Sequence, residues 1–235
     1  MVKVAFTKSF GSTIVGIVGG KTSPTGTDPF ESLNLYSRIT RSKTPVWEGV
    51  GKNKAISDPW DLHNYGASVY AYINNLLYLN LGTYTGIVKD SSGVINKDKS
   101  DPFDFYGRVA VTPPLPADVN VGAFFYSGKD EDPNTNTTLV KPRRYGVDAG
   151  VIYNIGDIGL ELNGIYVSGK DKVPSSPDFK HSGYNLSASL YWKYRLGLSL
   201  LYGEYKYKSD NPLTTPDNED GLKREGHNRA HLLPY

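Results

Sequence analysis

The residues whose types and spacing invite chemistry lie near the two ends of the chain and in its polar stretches. Gly16-Ile17-Val18-Gly19-Gly20-Lys21-Thr22 has the glycines and lysine of a phosphate-cradling loop. That pattern needs a glycine five residues ahead of Gly20, where Val15 stands, and Ser23-Pro24-Thr25-Gly26 cannot open the helix such a loop feeds. A glycine-rich strand end is the better reading. His227 and His231 have the spacing that puts two imidazoles on one metal when the segment is helical. On a strand the same spacing separates them by roughly 13 Å, too far to share a tetrahedral ion. Asp130-Glu131-Asp132 and Asp217-Asn218-Glu219-Asp220 carry oxygen ligands suited to calcium, but neither follows the EF-hand order. They read as solvated loop acids. His63 and His181 stand at loop–strand junctions, beside no recognisable nucleophile or acid pair. No enzyme, cofactor or metal site is expected.

Composition narrows the classes further. The chain has no cysteine, which removes disulfides, thiolate metal sites, iron–sulfur clusters and covalently attached haem. Its 26 Lys+Arg against 24 Asp+Glu leave a net charge of +2, so no nucleic-acid partner is expected. A mean hydropathy of −0.42 and the lack of any apolar run near 18 residues argue against transmembrane helices. They leave a membrane β-barrel open, because its strands are only half apolar. The 18 tyrosines and 25 glycines favour that exception.

The elements that hold these residues are strands. From Tyr65 onward, stretches of about ten residues alternate apolar with small or polar side chains, a period of two. Ala67, Val69, Ala71 and Ile73 turn at Asn74-Asn75 into Leu77, Leu79 and Leu81. Similar hairpins follow: Val109 and Val111 through Pro113 to Asp118 into Val119 and Val121; Tyr145 to Tyr153 through Asn154 to Asp157 into Ile158 to Leu162; Tyr184 to Trp192 through Lys193 to Arg195 into Leu196 to Tyr202. Residues 1–20 read as a first hairpin, 21–64 as a long loop, 65–207 as four regular hairpins, and 208–235 as a loop with a partial last strand from Arg229.

Short and long connections alternate strictly. The turns within hairpins are tight, whereas Val88 to Pro102, Gly128 to Pro142, Ser168 to Ser182 and Lys206 to Gly226 are long and polar, and these four are expected to be mobile and to share one side. A transmembrane barrel has this asymmetry. The fold expected is therefore all-β: an antiparallel up-and-down transmembrane β-barrel of about 10 to 12 or more strands. Val69, Leu77, Leu79, Leu160, Leu186 and Leu198 are assigned to the lipid face, and Tyr145, Tyr153, Tyr184, Trp192 and Tyr202 to an aromatic girdle bracketing it. Eight residue steps tilted by about 40° give a band roughly 20 Å tall. The other face carries Gly, Ser, Asn and Tyr with few charges, which suits a lumen wall better than a solvated surface. Tyr70, Tyr72, Tyr78, Asn80, Asp104, Arg108, Asp148, Glu161 and Arg195 are expected to line it, its charges setting a weak selectivity. Tyr84, Tyr106 and Tyr126 belong to the same tyrosine cluster, either as ordinary wall packing or as a stacking track for a sugar or a haem protein.

These hairpins resemble those of bacterial outer-membrane porins over roughly residues 65 to 207. Tyr65-Gly66-Ala67-Ser68-Val69-Tyr70-Ala71-Tyr72 and the endings Gly82-Thr83-Tyr84 and Gly203-Glu204-Tyr205 are similar to barrels that accompany multihaem cytochromes in electron conduits. The resemblance implies outer-membrane localisation, a lipid bilayer and lipopolysaccharide as surroundings, and a passage for small solutes. Its narrower form implies a structural sheath around a multihaem cytochrome, for which the small inner residues Gly66, Ser68, Gly150, Ser187, Ser189, Gly197 and Ser199 leave room. A soluble secreted β-sandwich that binds a ligand is the rival from another class. No secretory leader is legible at Met1 to Lys21. Counting directions, the first strand starts on the long-loop side and ten strands plus a partial eleventh leave the sheet at least one strand short, so the chain is expected to be an incomplete segment of a larger barrel.

Overall fold

The computed structural model describes residues 3–21, 65–85, 103–131, 137–174, 177–192, 196–209 and 222–234. The long segment 22–64, Arg195 with the rest of its turn, the connection 86–102, and Asp217 to Asp220 lie outside the described residues. The described residues are all strand and turn. The strands are β1 (Lys3–Phe10), β2 (Thr13–Lys21), β3 (Tyr65–Ile73), β4 (Leu77–Thr85), β5 (Phe103–Val111) and β6 (Asp118–Ser127). They continue with β7 (Asp130–Glu131), β8 (Thr138–Ile155), β9 (Ile158–Lys172), β10 (Phe179–Trp192), β11 (Leu196–Ser209) and β12 (Leu222–Pro234).

They form one antiparallel sheet in which eleven strands follow one another in chain order, with β7 attached to β8 alone. The up-and-down antiparallel order expected from the alternation is thus present. β1 and β12 are the ends of that order, and among the described residues the sheet is not closed. All the described residues of β1 from Val4 to Phe10 are exposed, on both faces, as befits an edge strand.

The tight turns follow from local chemistry. Asn74 and Asn75 both take positive φ, 52° and 53°, and Leu76 N donates to Ile73 O at 2.9 Å. This is the primed turn whose twist matches a hairpin, and asparagine tolerates it better than any β-branched residue. Gly11 (φ 61°) and Gly156 (φ 58°) serve the same purpose in the first hairpin and between β8 and β9. Neighbouring turns are tied at one end of the sheet: Asn74 N donates to Ser12 O, and Thr112 N to Leu76 O.

The strand lengths correct the sequence reading on the other side. β3 to β6 have nine or ten residues each, as the alternation implies. β8 has 18, β9 15, and β10 and β11 14 each, so these strands run far into Gly128 to Pro142, Ser168 to Ser182 and Lys206 to Gly226, which the sequence reading assigned to loops. Asp130 and Glu131, read as solvated loop acids, form β7 against Val140 and Thr138. β12 is a 13-residue strand rather than a fragment from Arg229, and its terminal Pro234 pairs in register with Leu196. Strand continuation there needs no apolar alternation, because the backbone ladder supplies the pairing.

Candidate functional site

The two faces of the sheet differ in the reverse of the usual sense. On β5 the alternation buries Asp104, Tyr106, Arg108 and Ala110 and exposes Phe105, Val109 and Val111. The same holds across the sheet: Asn80, Tyr84, Phe124, Tyr126, Arg144, Asp148 and Glu161 are buried, while Leu81 is 60% exposed and Val147, Leu162, Leu190 and Leu200 lie open. Charged groups with 0 to 6% exposure, set behind an open aliphatic face, are the inverse of a soluble sheet.

The buried charges meet this cost by pairing. Arg108 Nη1 and Nη2 donate to Asp148 Oδ2 and Oδ1 at 2.5 and 2.8 Å. The pair joins β5 to β8 over the intervening β6, and Gly122 makes the bridge possible: a Cβ there would stand 2.5 Å from Arg108 Nη2. Asp104 accepts from the Tyr126 hydroxyl and, at 2.9 Å, from Lys129 N. Arg144 Nη1 donates to Asp171 Oδ1 at 2.5 Å and to Arg143 O at 2.9 Å. Glu161 Oε1 accepts from Asn163 Nδ2 at 2.7 Å, while its Oε2 has no hydrogen-bond partner.

Large inner side chains lie against glycines on the next strand. Tyr84 pairs in register with Gly66, Phe124 with Gly146, Tyr191 with Gly159, and Arg144 with Gly169. A methyl group on Gly146 would meet Phe124 Cζ at 2.5 Å and Tyr166 O at 2.6 Å. The inner face is therefore filled by its own side chains, with Tyr106 stacked on Phe124 at a centroid distance of 6.4 Å.

No known protein family matches the chain, and no curated protein sequence does.

Of the residues read from the sequence as lumen-lining, Asn80, Asp104, Arg108, Asp148 and Glu161 are buried on the inner face, and Tyr70, Tyr72 and Tyr78 are half-buried there. They do not act as one group. Arg108 and Asp148 neutralise each other, Tyr70 and Tyr78 are in tilted ring contact at 6.3 Å, and Asn80 Nδ2 donates to the Tyr78 hydroxyl at 3.1 Å. Of the residues assigned to lipid, Val69, Leu79, Leu160, Leu186 and Leu198 are exposed and Leu77 is half-buried. Tyr145, Tyr153, Trp192 and Tyr202 are exposed on that same face, and the half-buried Tyr184 packs its ring 5.8 Å from that of Tyr202. His227 and His231 fall on β12 opposite Gly203 and Ser199. Among the described residues, no group of three or more His, Asp or Glu side chains is close enough to hold a metal ion.

Sequence reasoning missed Arg144 and Asp171, because Asp171 lies in a stretch read as loop and the pair exists only through the β8–β9 register. It also missed the outward aromatic Tyr166. A signal for the inner packing was present in the glycines, which recur at inward positions of strands where a side chain would otherwise stand.

Proposed function

We propose that this chain forms the wall of an outer-membrane-type β-barrel and serves as a passage for small solutes. The observation that carries this reading is the inverted polarity: an exposed aliphatic face bounded by tyrosine and tryptophan, backed by a buried face of ion pairs, tyrosines and glycines. Water would penalise the first face, and a hydrocarbon layer favours it. The nine- and ten-residue strands β3 to β6 match the length a tilted strand needs to cross a bilayer. An open sheet edge in lipid leaves backbone groups unpaired, so closure of the sheet belongs to the proposal.

The inner residues bear on what passes. Self-filling of the inner face over β4 to β9 by Tyr84, Tyr106, Arg108, Phe124 and Arg144 supports a narrow bore. A sheath around a multihaem cytochrome needs a bore wide enough for a folded protein, and the filled face weighs against that cargo. The paired charges also offer no free cation or anion along the centre of β5 and β8, which supports weak ionic selectivity.

The test is refolding from urea into phosphatidylcholine vesicles, followed by conductance in a planar bilayer. Strand signal gained only with lipid or detergent, heat-modifiable gel mobility and small discrete conductance steps are expected. A monomer that folds in plain buffer would overturn the wall reading. Insertion without conductance would retain the wall and remove the passage. A haem spectrum on natively purified material would favour the sheath instead.

A further inference from the structure

The buried carboxylates of the inner face are not all held alike. Asp148 and Asp171 are bound by arginines, and Asp104 by a tyrosine hydroxyl and a backbone N–H. Glu161 on β9 differs. Only 4% of its surface is exposed, Asn163 Nδ2 donates to its Oε1 at 2.7 Å, and its buried Oε2 receives no hydrogen bond. Its neighbours in register are Ile152 on β8 and Ser189 on β10, neither of them a cation. The same row runs on through Ser199 to His231 on β12, which stands three strands and roughly 14 Å away. A carboxylate oxygen taken out of water without a donor is costly, so a group from outside the chain is needed to complete it.

The wall around Glu161 leaves room for that group. Tyr84, Tyr106, Phe124 and Arg144 fill the inner face over β4 to β8, whereas the row next to Glu161 is Gly150, Asn163 and Ser187, all half-buried. Ile152, in the row of Glu161 itself, is 39% exposed. A Cβ on Gly150 would stand 2.8 Å from Asn163 Oδ1, so the glycine keeps that second oxygen clear. The donors fix the class of the missing group. A proton on Oε2 would itself be a donor in need of an acceptor, and calcium takes about six to eight oxygens, usually from several carboxylates. Here there is one carboxylate beside one amide oxygen, and among the described residues no group of three acids or histidines. One negative charge so sparsely supported suits a monovalent cation held loosely enough to leave again.

Resting on the reading of this chain as a passage, we propose that Glu161, oriented by Asn163, is a loose station for monovalent cations on the passage wall and gives the weak selectivity its sign, cations over anions. The paired Arg108 and Asp148 contribute no net charge to that sign. In a bore walled by protein, a single fixed carboxylate raises the local concentration of cations and lowers that of anions.

The experiment measures the reversal potential of the refolded full chain in a planar bilayer under a potassium chloride gradient. The unaltered protein should favour potassium over chloride several-fold. E161Q, which keeps the shape and removes the charge, should bring that ratio to near unity while discrete conductance steps persist. S187K is the second variant should E161Q not insert: Ser187 faces Asn163 and lies diagonal to Glu161 on β10, so a lysine there should neutralise the station and abolish the preference in the same way. K172Q, at the far end of β9 on the outward face, should leave the ratio unchanged. Equal passage of the two ions or a chloride preference in the unaltered protein, or a potassium preference that survives both E161Q and S187K, would overturn the station and leave the passage standing. Insertion without any conductance step would overturn the passage, and the station with it.

Discussion

Strands β3 to β6 and strands β8 to β11 belong to one continuous sheet but end in different ways. The first group stops after nine or ten residues, close to its outward aromatics Phe105 and Phe125. The second continues for 14 to 18 residues, past Tyr166, Tyr184 and Tyr202, into segments rich in lysine, serine and glycine. At roughly 3.3 Å per residue and a tilt near 40°, the short strands rise about 23 Å and the long ones about 35 to 45 Å. An apolar band of about 25 Å accounts for the first group alone. The excess in β8 to β11 is held by other means: the backbone ladder, the buried Arg144–Asp171 pair and the Lys170–Asp178 pair. One sheet thus obeys two rules along its strands, an environment rule inside the band and a pairing rule beyond it.

If that division is right, substitutions should rank by the rule they break. Removing one partner of the ion pair that spans three strands is expected to cost most. Asp148→Ala leaves the Arg108 guanidinium buried without its carboxylate and should lower unfolding stability by about 3–5 kcal/mol, read from urea titration of the lipid-refolded protein. Next comes the outward face. Leu198→Arg places a cation within the aliphatic band and should cost about 2–4 kcal/mol in the same assay. Equal tolerance of arginine at Leu198 and at the inner-face position Ser187 would abolish the distinction between the faces.

Glycine substitutions separate packed from open positions more finely. Gly146→Ala forces a Cβ to within 2.6 Å of the Tyr166 carbonyl, which the ladder holds in place, so a loss of about 1–3 kcal/mol is expected. Gly19→Ala meets nothing closer than 3.7 Å and should be neutral or slightly stabilising through reduced chain entropy. The smallest effect belongs beyond the band: Lys180→Leu should fall within about 0.5 kcal/mol, as for ordinary exposed positions. A large loss there would mean that the long strand ends obey the band's rule after all.

What the sequence discloses follows the same division. The alternation of Val69 to Leu81 and of Leu186 to Leu200 is legible because the two faces demand different side chains at every second residue. The primed turn at Asn74-Asn75 is legible because few residues accept two successive positive φ values. The upper halves of β8 to β11 are not, since strands beyond the band can carry polar residues on both faces and retain no period. The Arg144–Asp171 pair is illegible for a further reason: it depends on a register 27 residues apart in sequence, which composition does not encode. The sequence order does reveal that Asp104, Arg108, Asp148 and Glu161 share a face. It cannot reveal that Gly122 lets two of them meet across a third strand, which is a property of the assembled sheet.

On the proposed reading, the exposed aliphatic face lies in lipid. Because the native chain lacks cysteine, single cysteines can be placed without background at Leu79, Leu160, Leu186 and Leu198 in the band and at Lys141 and Lys180 beyond it. After refolding into vesicles, labels at the four leucine positions should be quenched by brominated acyl chains and resist a soluble maleimide, while the two lysine positions react freely. Rapid aqueous labelling at Leu160 and Leu198, equal to that at Lys180, would place the aliphatic face in water and overturn the membrane wall.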